Sequence, residues 1–207
     1  MAAGARRLLP AADLPVVAAI FRLALERTPT RSVGAMGKHA GSTTLLEIDW
    51  QAWIAEMGHD AGAADRARRV RSAARARGWP VICSRYLSAD PADRPRADLR
   101  SPEASFLPGL APEPGDPVVT KHDRDVFDVA GLPALLERLH TGHLLLTGLV
   151  TDHGVALAAR SAAARDLTVT VVADACAATS ARAHDRALAE LRAAGIGIAG
   201  AAEVAAW

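Results

Sequence analysis

A chain of 207 residues, half of them hydrophobic, can bury one sizeable core and is most simply organised around a single main domain. Twenty-four Lys and Arg against 23 Asp and Glu leave a formal net charge of +1, which gives neither the basic field of a general nucleic-acid binder nor an acidic tail. Its two cysteines, Cys83 and Cys176, make no disulfide framework or zinc-ligand spacing, and no stretch approaches the roughly 20 apolar residues of a membrane span, so a soluble cytoplasmic protein without nucleic-acid or membrane partners is expected.

In chain order, residues 1–42 precede the first strand and are read as an N-terminal helical arm. Leu14 to Leu25 places Val16, Val17, Ile20 and Leu23 along one helical face, with Gly34 to Gly41 as a flexible link; the arm reads as a packing or subunit-contact element. From 43 to 207, short apolar runs alternate with longer helical segments. Strands are predicted at Thr43–Ile48, Pro80–Cys83, Pro117–Thr120, His143–Thr147, Leu167–Val172 and Ile196–Ile198. Helices are predicted at Ala61–Arg77, Leu132–His140, Gly154–Arg165 and Ala181–Ala194, with Gly78, Gly142 and Gly195 as stops after three of them. This repeat predicts a mainly parallel sheet with right-handed crossovers and helices on both faces, a Rossmann-like three-layer α/β sandwich. Between the second and third strands, Tyr86 to Asp116 is rich in Pro, Asp and Arg. It is either a loop overhanging the carboxyl edge of the sheet, where substrates are selected, or a surface meander.

Open α/β sheets form ligand crevices beyond the carboxyl ends of their strands, so polar residues at those ends are the candidates. Asp49 closes the first apolar strand in Leu45-Leu46-Glu47-Ile48-Asp49-Trp50-Gln51, and Lys121 closes the third in Val118-Val119-Thr120-Lys121-His122. An ammonium beside Asp49 stabilises the carboxylate and can hold a substrate oxygen or a water. Gly148 allows a tight exit from the fourth strand. Thr151 or Asp152 is then placed to cap the next helix and turn backbone N–H groups near His153 and Gly154 into the crevice. Glu47 sits inside an apolar run two residues from Asp49, and so on the same strand face. It is either a secondary site carboxylate or half of a buried salt bridge to an Arg of a flanking helix. Trp50 and Trp53 either wall a pocket for a flat substrate or pack in the core, the core being the stronger reading for Trp53.

Together these segments resemble the isochorismatase-like (cysteine hydrolase) superfamily over about residues 43–206. The resemblance implies an isochorismatase-like hydrolase fold with six strands in the order 3-2-1-4-5-6, the first strand central, and a homodimer or higher homo-oligomer. It identifies Asp49-x-Gln51 with the superfamily's Asp-x-Gln motif, Asp49 being the proton-transfer group, and Lys121 with its site lysine, followed by Phe127. It makes the turn from Leu149 to Gly154 the oxyanion-binding element, with a non-proline cis bond between Leu149 and Val150. On this basis Asp49 and Lys121 are the catalytic candidates. Gln51, Trp50, Phe127, Val150, Thr151, His153 and Gly154 are expected around a small-molecule substrate, with Asp152 and Glu47 in reserve. No cofactor is implied, and with no His between Ser84 and Leu99 neither is a metal.

Gly154 occupies the position of the superfamily's nucleophilic cysteine. Loss of the nucleophile costs a covalent hydrolase roughly a million-fold in turnover, so nicotinamidase-type amidase chemistry is not expected. Isochorismatases resemble this chain in keeping the Asp and Lys with a Gly here, and they cleave a vinyl ether by protonation and water addition. The resemblance therefore implies non-covalent acid–base chemistry on a small cyclic or anionic metabolite, with Arg85, Arg94, Arg96 and Arg100 as available cations. Isochorismatases usually carry a Tyr and a His in the turn where Val150, Thr151 and Asp152 stand, so the substrate need not be isochorismate. Cys83, Ser84 and Cys176 are expected to be structural, since none opens a helix that would activate a thiol. Two other readings stay open: a catalytically silent binding or assembly protein, and an enzyme of a specialised biosynthetic pathway rewired around His153 or Glu47.

Overall fold

A computed structural model describes residues 41–207; the Leu14–Leu25 helix and most of the Gly34–Gly41 link lie outside these residues. Six strands form one sheet in the order β3-β2-β1-β4-β5-β6: β1 Ser42–Ile48, β2 Val81–Tyr86, β3 Val118–Lys121, β4 Thr141–Leu149, β5 Thr168–Ala177 and β6 Gly197–Ala199. All five pairings are parallel. The helices are α1 Ala52–Ala55, α2 Ala63–Ala76, α3 Arg94–Ala97, α4 Gly131–Arg138, α5 Ala156–Ala163, α6 Ala181–Ala193 and α7 Ala201–Ala206. Among the described residues no helix is long and apolar enough to cross a membrane.

Strand side chains alternate between faces, so a strand covered on both sides must be apolar throughout. In β1, Leu46 and Ile48 join Ile82, Leu144, Leu146 and Val171 under α5 and α6. Leu45 faces the opposite core with Val81, Cys83, Leu145 and Val172, under α2 and α7. α2 meets the sheet with Ala63, Ala67, Val70, Arg71 and Ala74, a stripe at helical spacing whose small side chains let the backbone approach closely. α6 opens on Ser180, whose hydroxyl accepts the Ala183 N–H at 3.2 Å.

Three local expectations are corrected. Gly78 and Gly195 take the left-handed conformation that ends a helix, but after α4 that role falls to His140 at φ 52°. Gly142 lies instead within β4, where a Cβ would come within 2.6 Å of the Gly41 backbone. β5 runs five residues past the predicted end, because an irregularity between Leu146 and Gly148 lets it pair again at Cys176 and Ala177. The segment after β2 is no free meander. Gln51 bridges to Phe106, and its buried amide accepts from the Tyr86 N–H at 2.7 Å and donates to the carbonyls of Tyr86 and Ala104, each at 3.0 Å. One side chain thus ties the start of the segment at Tyr86 to Ala104, eighteen residues on. Replacing Gln51 by Ala leaves these backbone groups unpaired, with an expected loss of about 3 kcal/mol of stability and faster amide exchange between residues 87 and 105. Unchanged exchange there would show that the amide does not close the loop.

Candidate active site

β1 ends at Ile48, and Asp49 turns out of the strand at φ 50°, a conformation Asp tolerates better than most residues. The carboxylate is 3% exposed and held at both oxygens: Oδ2 lies 2.7 Å from Lys121 Nζ, and Oδ1 accepts the Ser84 hydroxyl at 2.7 Å. Lys121, also 3% exposed, donates in addition to the Arg124 carbonyl at 2.9 Å. Two of its three ammonium protons are thereby used, and the third remains for a ligand. Burial pushes the Asp49 pKa above the usual carboxylate range, against the opposing pull of Lys121 and Ser84. A buried carboxyl that takes up a proton this readily suits a general acid.

Gly148, next to last in β4, takes φ 139° in close contact with β1: a Cβ there would stand 2.2 Å from the Ile48 carbonyl oxygen. The Leu149–Val150 peptide is cis. A π-helical turn, Thr151–Val155, then leads directly into α5. Gly154 lies in this turn, and a Cβ built on it would meet Ile48 Cγ2 at 3.3 Å, the Leu149 carbonyl oxygen at 3.5 Å and Lys121 Nζ at 3.6 Å. The space opposite the Asp49–Lys121 pair is therefore the space a side chain at 154 would fill. The expected Thr151 or Asp152 cap is absent. Val150 occupies the cap position with no side-chain hydrogen bond, Thr151 Oγ1 pairs with His184 Nδ1 at 2.9 Å, and Asp152 Oδ1 lies 3.4 Å from His153 Nδ1.

A cavity of about 370 Å³ opens over the pair. Val150, His153 and Gly154 line it, together with Trp53, Ile54, Met57, Tyr86, Arg96, Arg124, Leu149 and Thr179. Tyr86 and Trp53 stand with ring centroids 5.9 Å apart, Arg96 lies 5.1 Å from the Trp53 ring and Lys121 Nζ 5.8 Å from the Tyr86 ring. Four residues expected around a substrate do not line this cavity. Trp50 packs in the core beneath α2 while Trp53 forms the wall, the reverse of the expectation. Phe127 belongs to the opposite core, Thr151 is buried against His184, and the Gln51 amide is fully engaged in the loop. Ser84, Tyr86, Arg96 and Arg124 complete the surroundings of the pair. Ser84 was legible only as a neighbour, since strand order places the end of β2 against the end of β1.

Glu47 and Asp49 do not share a face, because the left-handed turn at Asp49 breaks the alternation. Glu47 points to the α2 side and pairs with Arg71, whose Nε lies 2.9 Å from Oε2 and whose Nη atoms reach the carbonyls of Leu110 and Ala111. It is thus the buried salt bridge to a flanking helix. Burial raises its pKa too, against the pull of Arg71. Burial likewise pushes the thiols of Cys83 and Cys176 up to about 12, which leaves neither as a nucleophile near neutrality. With Glu47 and Asp49 both raised, the folded chain binds more protons than the unfolded chain above about pH 4. Their contribution to stability therefore falls as pH rises from that point. Urea unfolding across pH 4–8 is expected to show this decline in the wild type and a shallower one in Asp49→Asn.

A parallel sheet of order 3-2-1-4-5-6 with a buried Asp–Lys pair at its carboxyl edge defines a Rossmann-like α/β enzyme fold. The isochorismatase domain family matches residues 43–203. The chain belongs to the isochorismatase family and is a hydrolase of that family. It is similar to an isochorismatase family protein from Burkholderia thailandensis, at 27% identity and a TM-score of 0.72, over 84% of this chain and 98% of the other. A putative isochorismatase-family hydrolase from Chromobacterium violaceum gives 25% identity and a TM-score of 0.73 over 85% and 97%. The YcaC gene product of Escherichia coli, an octameric hydrolase of unknown specificity, shares the fold at 20% identity and a TM-score of 0.69, over 85% and 82%.

Proposed function

We propose that this chain cleaves a C–O or related C–N bond in a small cyclic or anionic metabolite by non-covalent acid–base chemistry. On a vinyl ether, Asp49 delivers its proton to the terminal alkene carbon, and water adds to the resulting oxocarbenium carbon. The hemiketal then collapses to a carbonyl compound and an alcohol, and a proton returns to Asp49. Lys121 orients the water or a substrate oxygen with its free N–H, and the uncapped turn from Val150 to Gly154 favours negative charge at the helix start. The observation that carries this reading is the open space at Gly154, 3.6 Å from Lys121 Nζ at its nearest approach to the pair, where no nucleophilic side chain stands.

The preference for an anion rests on the cations lining the cavity beyond the mutually balanced Asp49–Lys121 pair: Arg124, and Arg96, which is held by an ion pair to Asp93 outside the cavity lining. Trp53 and Tyr86 favour a flat ring. A thermal-shift screen of small carboxylates, cyclic and acyclic, against the wild type and Arg96→Ala tests this. At least one cyclic acid is expected to raise the midpoint of the wild type and to lose about tenfold in affinity for the variant. Stabilisation only by neutral or cationic compounds would overturn it. Binding without turnover of the bound acid would favour a silent binding protein instead. We further place the chain in the cytoplasm, in keeping with its buried free thiols, as a homo-oligomer in a specialised biosynthetic pathway.

A further inference from the structure

The acid role proposed for Asp49 requires its carboxyl group to alternate between a charged and a neutral form while remaining out of water. Lys121 favours only the charged form, since an ammonium donates and never accepts. Ser84 differs. It is fully buried on β2 and does not line the cavity, so it reaches the chemistry only through Asp49. Its hydroxyl lies 2.7 Å from Oδ1, and its oxygen also stands 3.3 Å from the Asp49 backbone N–H, so one residue holds both the carboxyl group and the backbone that carries it. Cys83, one residue earlier, faces the opposite core with Glu47, so β2 supplies this hydroxyl to Asp49 alone.

We propose that Ser84 is the positioning residue of the catalytic acid: by donating to Oδ1 it anchors one oxygen and leaves Oδ2, beside Lys121 and the opening at Gly154, to carry the proton exchanged with substrate. This rests on the acid role proposed for Asp49, and it predicts more than a packing role would. A Ser84 that merely filled space would be replaced by Ala without effect on the titration of Asp49. A hydroxyl that donates to the carboxylate stabilises the charged form, and removing it moves the titration upward.

The test is a carbon-13 NMR titration of the chain labelled at aspartate Cγ, with the Asp49 signal identified by its loss in Asp49→Asn. Ser84→Ala is expected to titrate about one pH unit above the wild type, as for loss of a hydrogen bond to a charged group. Ser84→Thr, which keeps the hydroxyl, is expected to titrate with the wild type. Ser84→Cys, a closer match in size with a weak donor, is expected between the two and supplies the reading if the Ala variant does not fold. Coincident titrations of the Ala or Cys variant and the wild type would overturn the proposal, as would a Thr variant that shifts as far as Ala. The titration needs no substrate, so its outcome stands apart from any failure of the proposed reaction.

Discussion

Replacing Gly154 by Cys is expected to create a thiol that is largely ionised near neutral pH and alkylated by iodoacetamide at least tenfold faster than any thiol of the wild type. Gly154 is not at a positive φ, and the contacts awaiting a Cβ are ordinary apart from Ile48 Cγ2 at 3.3 Å, a side-chain atom that can give way. The new sulfur would begin within reach of Lys121 Nζ, at the start of a helix, and beside an Asp49 whose raised pKa makes it a ready acceptor of the thiol proton. The cation and the helix start lower the pKa of a cysteine below its free value of about 8.5, and Asp49 does not oppose this once it has taken up the thiol proton. The background is quiet, since Cys83 and Cys176 are buried with pKa values pushed up to about 12. Alkylation rate against pH, followed by intact mass, gives the pKa directly. Adding Lys121→Met is expected to raise it by a unit or more, from loss of a nearby cation. An introduced thiol that titrates like a free one would mean that the site holds no field for an anion.

The second large effect is expected at Asp49. Its replacement by Asn keeps the shape and the hydrogen bond from Ser84 but removes the transferable proton, and general acid catalysis of this kind accounts for about 10²- to 10⁴-fold in rate. Turnover at saturating substrate is therefore expected to fall by that factor. Binding should change far less, because the cations and rings that line the cavity are untouched. Lys121 loses its charged partner in this variant, but the raised Asp49 pKa means that the carboxylate charge is already a net cost of burial, so the stability loss is expected to fall below the roughly 3–5 kcal/mol usual for breaking a buried pair. The combination Asp49→Asn with Lys121→Met is expected to recover most of that stability while remaining inactive. Urea unfolding of the three chains measures the coupling.

The sheet was legible because a strand covered on both faces is apolar wherever it has no buried partner, and Leu144 to Leu146, with Leu45, Leu46 and Ile48 around the Arg71-paired Glu47, can satisfy that in few other ways. Asp49 and Lys121 were legible because each polar side chain closes such a run at the edge where crevices form. Beyond Asp49, pattern reading lost its footing. A single left-handed residue reorients everything that follows, so Trp50 turns into the core, Trp53 reaches the cavity, and Gln51 ties down the loop. Alternation, which assumes an unbroken strand, also put Asp49 on the face of Glu47, whereas Glu47 keeps the face of Leu45 and Asp49 leaves it for the same reason. Arg96 was visible only as one of several arginines, since nothing in a polar loop says which side chain folds back over the sheet. Ser84 carried no pattern at all; its position follows from β2 lying beside β1 in register.

Proton transfer by Asp49, in a site that needs no covalent nucleophile, is tested most directly by incubating the wild type and Asp49→Asn side by side with an extract of small metabolites and following the composition by mass spectrometry. A small, anionic component is expected to disappear with the wild type, with its hydrolysis products rising in step, and to persist with Asp49→Asn. Conversion of that component at equal rates by both chains would contradict the role of Asp49.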